Sequence, residues 1–200
     1  MPYAFWDAIK NRHSIYSLSN EEIVPRSRIK QLVADALNYV PSSFNSQSAR
    51  IVVLFGNEHR ALWNITLDEL KKVTPPEQFP STEGKIKNCF ASGYGTILFF
   101  EDTTIVDNLV AGFPLYADKF PVWAQHSNAM HQFALWAALE AEGLGASLQH
   151  YHPLIDNAVR ARFHIPETWS FVAQMPFGKP LEKGEQKEKQ SLGSRMKVFE

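Results

Sequence analysis

A central sheet packed with helices, α+β or mixed α/β, is predicted by the order in which apolar patterns alternate along the chain. Three observations carry this prediction. Ile29, Leu32, Val33, Ala36 and Leu37 recur at i, i+3, i+4, i+7 and i+8, the spacing of one helix face. Short β-branched or aromatic runs at 50–55, 96–100 and 170–174 alternate with helical stretches. No internal repeat or linker divides the 200 residues, and 44% hydrophobic content suits one domain over 1–200.

Composition excludes several function classes. The formal net charge of -1 gives no basic field to collect nucleic acid. The single cysteine, Cys89, rules out a disulfide within the chain and leaves no cysteine-built zinc site. The start, Met-Pro-Tyr-Ala-Phe-Trp-Asp, lacks the charged and apolar segments of a secretory signal, and no run reaches the ~18 to 20 apolar residues that span a bilayer. A soluble, cytoplasmic protein with no membrane partner is expected.

The elements follow in order. Residues 3–11 read as a short helix running into Arg12-His13-Ser14-Ile15-Tyr16. A cation beside a hydroxyl there suits a phosphate, although a plain solvated helix end has the same composition. A second helix begins at Pro25 and stops before Pro41, because the residue preceding a proline is pushed out of helical geometry. Pro41-Ser42-Ser43-Phe44-Asn45-Ser46-Gln47-Ser48 then offers six hydroxyl or amide side chains. Such a loop either bonds a ligand rich in neutral donors and acceptors or caps itself locally.

Arg50 to Phe55 is read as a central strand, 57–72 as a helix closed by Pro75-Pro76, 85–91 as a further helix, and 96–100 as a strand. Glu101 and Asp102 are read as capping the next helix, since neighbours at a strand end point in opposite directions. After that short helix, Phe113, Tyr116, Phe120 and Trp123 are interleaved with Pro114 and Pro121. No long regular element is expected there, only an aromatic flap over a substrate or over the core.

The 125–142 stretch is helical and apolar nearly all round, so burial is expected, and Gly143 stops it in a left-handed conformation. Gly145 to His152 forms a short strand with a polar mouth, where backbone can approach a planar ligand closely. A helix over 156–164 and a strand over 170–174 complete the domain, and 181–200 is a largely charged arm ending near Ser194-Arg195. Metal binding by His126, His131, His150, His152 or His164 is disfavoured: the first two are five apart, off a common helix face, and no metal is expected.

Arg12-His13-Ser14, Pro41-Ser42-Ser43-x-Asn45-Ser46-Gln47, the helix into Gly143-Leu144-Gly145-Ala146, and Gly178-Lys179-Pro180 occur in this order. Together they resemble the nitroreductase superfamily of flavin enzymes. Leu148 to Asp156 and Gln174 to Gly178 are most similar to its short, fatty-acid-repression-type branch. The resemblance covers nearly the whole chain. It implies an α+β fold with a central mixed or antiparallel sheet, an intertwined homodimer, and FMN at the subunit interface with each site built from both chains. By resemblance, Arg12 and Ser14 hold the FMN phosphate together with Arg195, and His13, Tyr16 and Lys179 also belong to the cofactor-binding set. Ser42, Ser43, Asn45 and Gln47 reach the partner's flavin, and Leu148, Gln149, His150 and Tyr151 lie along its ring. Phe44, Phe113, Tyr116, Phe120 and Trp123 line the acceptor pocket.

The implied reaction is a ping-pong relay in which NADH or NADPH reduces FMN and a flat, electron-poor acceptor such as a nitroaromatic or quinone is reduced in the same slot. No protein nucleophile is required. Two departures from better-known members stand out. Tyr16 replaces a basic residue two positions after the motif serine, and His150-Tyr151 replaces a Glu-Gly pair. A flavin-binding regulator of lipid or stress response with little turnover, or another FMN dehydrogenase on the same fold, would share these motifs.

Overall fold

The computed structural model describes residues 5–200. Seven α-helices among the described residues surround one antiparallel sheet, in the order α1 (Phe5–Asn11), β1 (Leu18–Ser19), α2 (Arg26–Tyr39), β2 (Ala49–Phe55), α3 (Gly56–Val73), α4 (Phe79–Lys85), β3 (Gly95–Asp102), α5 (Thr103–Gly112), α6 (Phe120–Ala141), β4 (Gly145–Ala146), α7 (Asp156–Phe163) and β5 (Trp169–Pro180). The first two residues of the helix expected over 3–11 lie outside the described residues.

The sheet order is β1-β5-β3-β2, with β4 also paired to β5, and all these pairings are antiparallel. Among the described residues the strand expected to be central, β2, pairs only with β3 and forms the edge. Its β-branched run arises instead because helices cover its faces. Val52 packs into one core cluster while Ile51 and Val53 pack into the other. The centre belongs to β3 and β5. From Gly95 to Glu101 every residue of β3 is buried. A strand covered on both faces reads as a continuous apolar run.

Two cores result, one on each face of the sheet. Ile97, Phe99, Ala173, Met175 and Phe177 meet α2 and α6 through Ile29, Leu32, Leu135 and Leu139. Leu98, Phe100 and Phe171 meet α3 and α7 through Leu62, Trp63 and Val159. Trp63 is fully buried, and its indole Nε1 donates to Thr96 Oγ1 at 3.0 Å, so the one polar atom of that ring is satisfied.

Two sequence expectations fail around the prolines. The 113–124 stretch is only briefly irregular: α6 starts at Phe120 with Pro121 in its first turn and runs 22 residues. Proline there removes an amide that has no helical partner anyway. Likewise β5 does not stop at Gln174 but continues to Pro180, because Pro176 sits where the strand tolerates it, facing Thr96. The helix expected over 85–91 is a π-helical turn, Ile86–Phe90, continuing α4. Gly143 ends α6 at φ +80°, as expected.

The centre of α6 is unusual in chemistry. Along its inward stripe stand Phe120, Ala124, Ser127, Asn128, His131, Gln132 and Leu135, polar in the middle. On the other side Val122, Met130 and Phe133 are exposed. The helix is therefore not buried all round within this chain; it looks apolar everywhere because its outward face carries large apolar side chains.

Candidate functional site

The sheet brings three of the sequence motifs together. Ile15 N donates to Ala146 O at 3.0 Å, and Ser14 bridges Ala146, so the Arg12–Tyr16 segment runs beside β4. β4 pairs with Phe177 and Gly178 of β5, and the pairing continues through Gln149 N to Gln174 O at 2.7 Å and its reciprocal bond at 2.9 Å. Close approach demands glycine here: a Cβ on Gly145 would stand 3.0 Å from Ile15 Cβ.

Arg12 lies half-buried with its guanidinium 4.2 Å from the ring centroid of Trp136 on α6. Its Nε is buried without a hydrogen-bond partner, and so is Trp136 Nε1. Burial pushes the Arg12 pKa down, partly offset by Glu140, and burial pushes Glu140 up, partly offset by Arg12. Desolvation outweighs their mutual attraction at both groups.

On the polar mouth, Tyr151 N donates to Gln174 Oε1 at 2.9 Å, while Gln174 Nε2 is buried and unpartnered. Burial pushes the Tyr151 phenol up to about 12, with Cys89 and Tyr16 acting the same way. Tyr16 and Tyr151 both pack on Phe90, at ring-centroid distances of 6.2 and 6.4 Å. Leu148 packs against the core, Gln149 Nε2 donates to Ser147 Oγ, and His150 is exposed with its pKa lowered by desolvation and then by His152. Lys179 pairs with Glu21 at 2.6 Å. His13, Ser14 and Tyr16 share a cleft with arm residues 182–185 and Lys187. Among the described residues no hydrogen bond or ion pair joins Arg195, exposed on the arm, to Arg12 or Ser14.

The remaining motif residues gather elsewhere. Ser42 Oγ accepts from Gln47 N at 2.9 Å and closes the 42–47 loop, so part of this cluster does cap itself. Phe44, Asn45 and Gln47 hold positive φ, and the side chains of all three are exposed. Phe44 stacks on Trp123 at 6.1 Å and meets Phe113, Tyr116 and Phe120, so all five predicted pocket aromatics form one cluster. Only Phe120 is fully buried in it. Ser43 N donates to Ser127 Oγ on α6. Ser127 and Trp136 are nine positions apart on α6, which at ~1.5 Å per residue places the two groups about 13 Å apart along the helix.

Sequence reasoning missed Trp136, Gln174 and Glu101. Asp102 caps α5 as expected, its Oδ1 accepting from Thr104 N, but Glu101 points inward and is 2% exposed. Strand alternation alone places 101 opposite 102 and could have revealed it. Glu101 Oε1 accepts from Asn128 Nδ2 at 2.8 Å, Asn128 Oδ1 accepts from Gln132 Nε2, and Glu101 Oε2 is unpartnered. Burial raises its pKa against the opposing pull of Ser48, Asn128, His131 and Arg50. The folded state thus holds this proton more tightly than the unfolded chain. Its contribution to stability is present below the ordinary glutamate pKa and is lost as pH rises through the raised one. Glu101→Gln, which keeps the acceptor for Asn128, is expected to gain thermal stability over the parent as pH rises from 5 to 8. A stability difference that does not change with pH would contradict this assignment.

Among the described residues no group of three or more His, Cys, Asp or Glu side chains is placed to hold a metal ion, and no helix is long and apolar enough to cross a membrane.

The nitroreductase family profile matches residues 9–179. The chain belongs to the nitroreductase family. Nitroreductase FRM2 of Saccharomyces cerevisiae is 33% identical over 187 residues, 92% of this chain and 91% of the relative. Nitroreductase CinD from Lactococcus lactis, solved in complex with 4-nitrophenol and with chloramphenicol, is 35% identical, covers 98% of this chain and 100% of its own, and superposes with a TM-score of 0.89. A Desulfovibrio desulfuricans structure in complex with FMN is only 18% identical and shares the fold, with a TM-score of 0.71. This nitroreductase-family enzyme therefore has the α+β, antiparallel architecture of its relatives.

Proposed function

We propose that this nitroreductase-family oxidoreductase is an FMN-dependent, NAD(P)H-consuming homodimer that reduces small, flat, electron-poor acceptors of the nitroaromatic or quinone class. The observation that carries the reading is the meeting of Arg12–Tyr16, Gly145–Tyr151 and Gln174–Gly178 along one margin of the sheet, with the buried donors Arg12 Nε, Trp136 Nε1 and Gln174 Nε2 unmatched by acceptors. An unmatched buried donor costs ~1–3 kcal/mol, and the phosphate and ring carbonyls of FMN are acceptors. The residues present fit the group.

When bound, FMN supplies reversible hydride chemistry that no side chain here provides. The chain binds and orients. Arg12, with its Nε unpartnered, and the Ser14 hydroxyl would hold the phosphate. The 148–151 backbone would border the ring, and the Tyr151 phenol stays protonated through the neutral range, available as a donor. Phe44, Phe113, Tyr116 and Trp123 offer an apolar shelf that excludes water from a stacked acceptor. Supporting this acceptor class, the relative CinD was solved with 4-nitrophenol.

The separation of the loop group from the Arg12 group along α6 favours a site completed by a second copy, and the exposed Val122, Met130 and Phe133 offer that copy an apolar face. The decisive experiment is the visible spectrum of the purified protein, taken anaerobically before and after NADH or NADPH and then a nitroaromatic. Flavin bands should bleach with the nicotinamide and return with the acceptor. Bands that never bleach would favour a flavin-binding regulator, and a colourless protein that cannot be loaded with FMN would sink the reading.

A further inference from the structure

The loop between α2 and β2 is held in a shape that its side chains do not choose. Phe44, Asn45 and Gln47 take φ values of 56°, 51° and 50°, left-handed positions occupied by residues other than glycine. Such strain persists only where the surroundings over-determine it. Hydrogen bonds within the loop tie Asn45 N to Ser42 O, Ser46 N to Ser43 O and Gln47 N to Ser42 Oγ. They leave the Gln47 carbonyl to be held from outside. Phe44 is kept in place by Trp123, on which it stacks, whereas Asn45 and Gln47 are exposed.

Arg50, at the start of β2, supplies the outside hold. Its Nη1 donates to Gln47 O at 2.7 Å and to Ala49 O at 3.0 Å, and its Nη2 pairs with Asp102 Oδ2 at 3.1 Å. The guanidinium also stands 5.9 Å from the Trp169 ring centroid. A planar fork can serve two acceptors in fixed directions at once, which a point-like ammonium does not reproduce. Asp102 is itself fixed. Its Oδ1 accepts from Thr104 N at the start of α5, and its backbone N donates to Ser48 O at 2.9 Å, so it grips the end of the loop a second time. The other end rests on α6, where Ser43 N donates to Ser127 Oγ. An exposed ion pair adds little by itself. This one is half-buried, and its arginine holds the carbonyl of the last left-handed residue.

We infer that Arg50, anchored by Asp102, is a positioning residue for the flavin site: it holds the 44–47 loop in its strained shape and so presents Asn45 and Gln47 to the flavin of a second copy. This rests on the flavin-dependent dimer proposed above. Arg50 acts only through the loop. Without the clamp, the backbone relaxes toward ordinary φ and the two side-chain amides lose their setting. With it, the ordering of the loop is completed on folding and is not left to be done when flavin binds.

Hydrogen exchange of the whole protein, taken free of flavin, and titration with FMN test this together. In Arg50→Gln, exchange at the Asn45, Ser46 and Gln47 amides should rise by about tenfold while β3 and the rest of β2 keep the parent rates. Asp102→Asn keeps an oxygen for the α5 cap and puts an amide donor in place of the oxygen that pairs with Arg50. It should give the same loop-confined rise, and it decides by itself if Arg50→Gln does not fold. FMN affinity should fall by about tenfold in Arg50→Gln. Added to Asn45→Ala with Gln47→Ala, Arg50→Gln should cost nothing further, because a residue that acts through those side chains has none left to place. A merely structural role gives losses that add. Additive losses, or loop exchange unchanged in both variants, would overturn the proposal. So would a rise spread equally through β2 and β3. A parent protein that takes up no FMN would bring down the flavin reading and this role with it, whereas a parent that binds FMN no better than Arg50→Gln does would remove Arg50 alone.

Discussion

Gly178→Ala is expected to destabilise the protein by about 3 kcal/mol or more. The position has no room. A Cβ there would stand 2.5 Å from Ser19 O and 3.0 Å from Tyr94 N, both backbone atoms. Neither can yield like the end of a flexible side chain. Ser19 is fixed by pairing of β1 with β5, and Tyr94 N is already bonded to Phe177 O at 2.8 Å. Relief would have to open the sheet where β1, β4 and the turn before β3 converge, close to the candidate site. Chemical denaturation compares this variant with Gly84→Ala, a helical position with nothing within 4 Å of the new Cβ. The control is expected to be neutral or stabilising by about 0.4–1 kcal/mol. Equal stabilities for the two variants would mean that the close approach at Gly178 does not exist.

The second large effect concerns how the proposed flavin site would be assembled. Arg12→Ala is expected to weaken FMN binding by roughly 1.5–3 kcal/mol, the worth of a hydrogen bond to a charged group, and so to leave little flavin bound at low concentration. A variant in the 42–47 loop, such as Asn45→Ala with Gln47→Ala, should impair turnover separately. Mixing the two inactive proteins under subunit exchange gives the test. If Arg12 and the loop of one site come from different subunits, each mixed dimer carries both lesions in one site and none in the other. Activity then returns to about half per mixed dimer, as the arithmetic of two independent sites requires. If both contributions come from one subunit, every site keeps a lesion and nothing returns. Recovery of activity on mixing would also establish the dimer, and its absence with both parents dimeric would require a site within one chain.

Much of the fold was legible because local chemistry and tertiary context agree. The i, i+3, i+4 run in α2 buries Ile29, Leu32, Val33 and Ala36 as its spacing requires. Asp102 caps α5, and Gly143 stops α6. The failures share a cause, since each depends on which partner covers a residue. Arg50–Phe55 reads as a central strand because burial on both faces looks the same whether the cover is a strand or a helix. Phe120 to Trp123 reads as irregular because proline breaks helices, except in the first turn where it stands. At the site, the motif order was visible in the residues, whereas a two-ended arrangement came only as what the family resemblance implies. Nothing in the spacing of Ser43 and Arg12 says that α6 separates them. Trp136 looked like core material until the Arg12 guanidinium was found on its face.

The polar middle of α6 has a consequence for how that helix sits. A purely apolar stripe tolerates rotation about the helix axis, since one aliphatic contact substitutes for another at little cost. Asn128 does not permit this: its amide is held by both Phe100 O and Glu101 Oε1, and any roll would strip a buried carboxylate of its donor. These bonds therefore fix the angular setting of α6, and with it the direction in which Met130 and Phe133 face outward. The helix cannot turn to hide those side chains from water without breaking the contacts at its back.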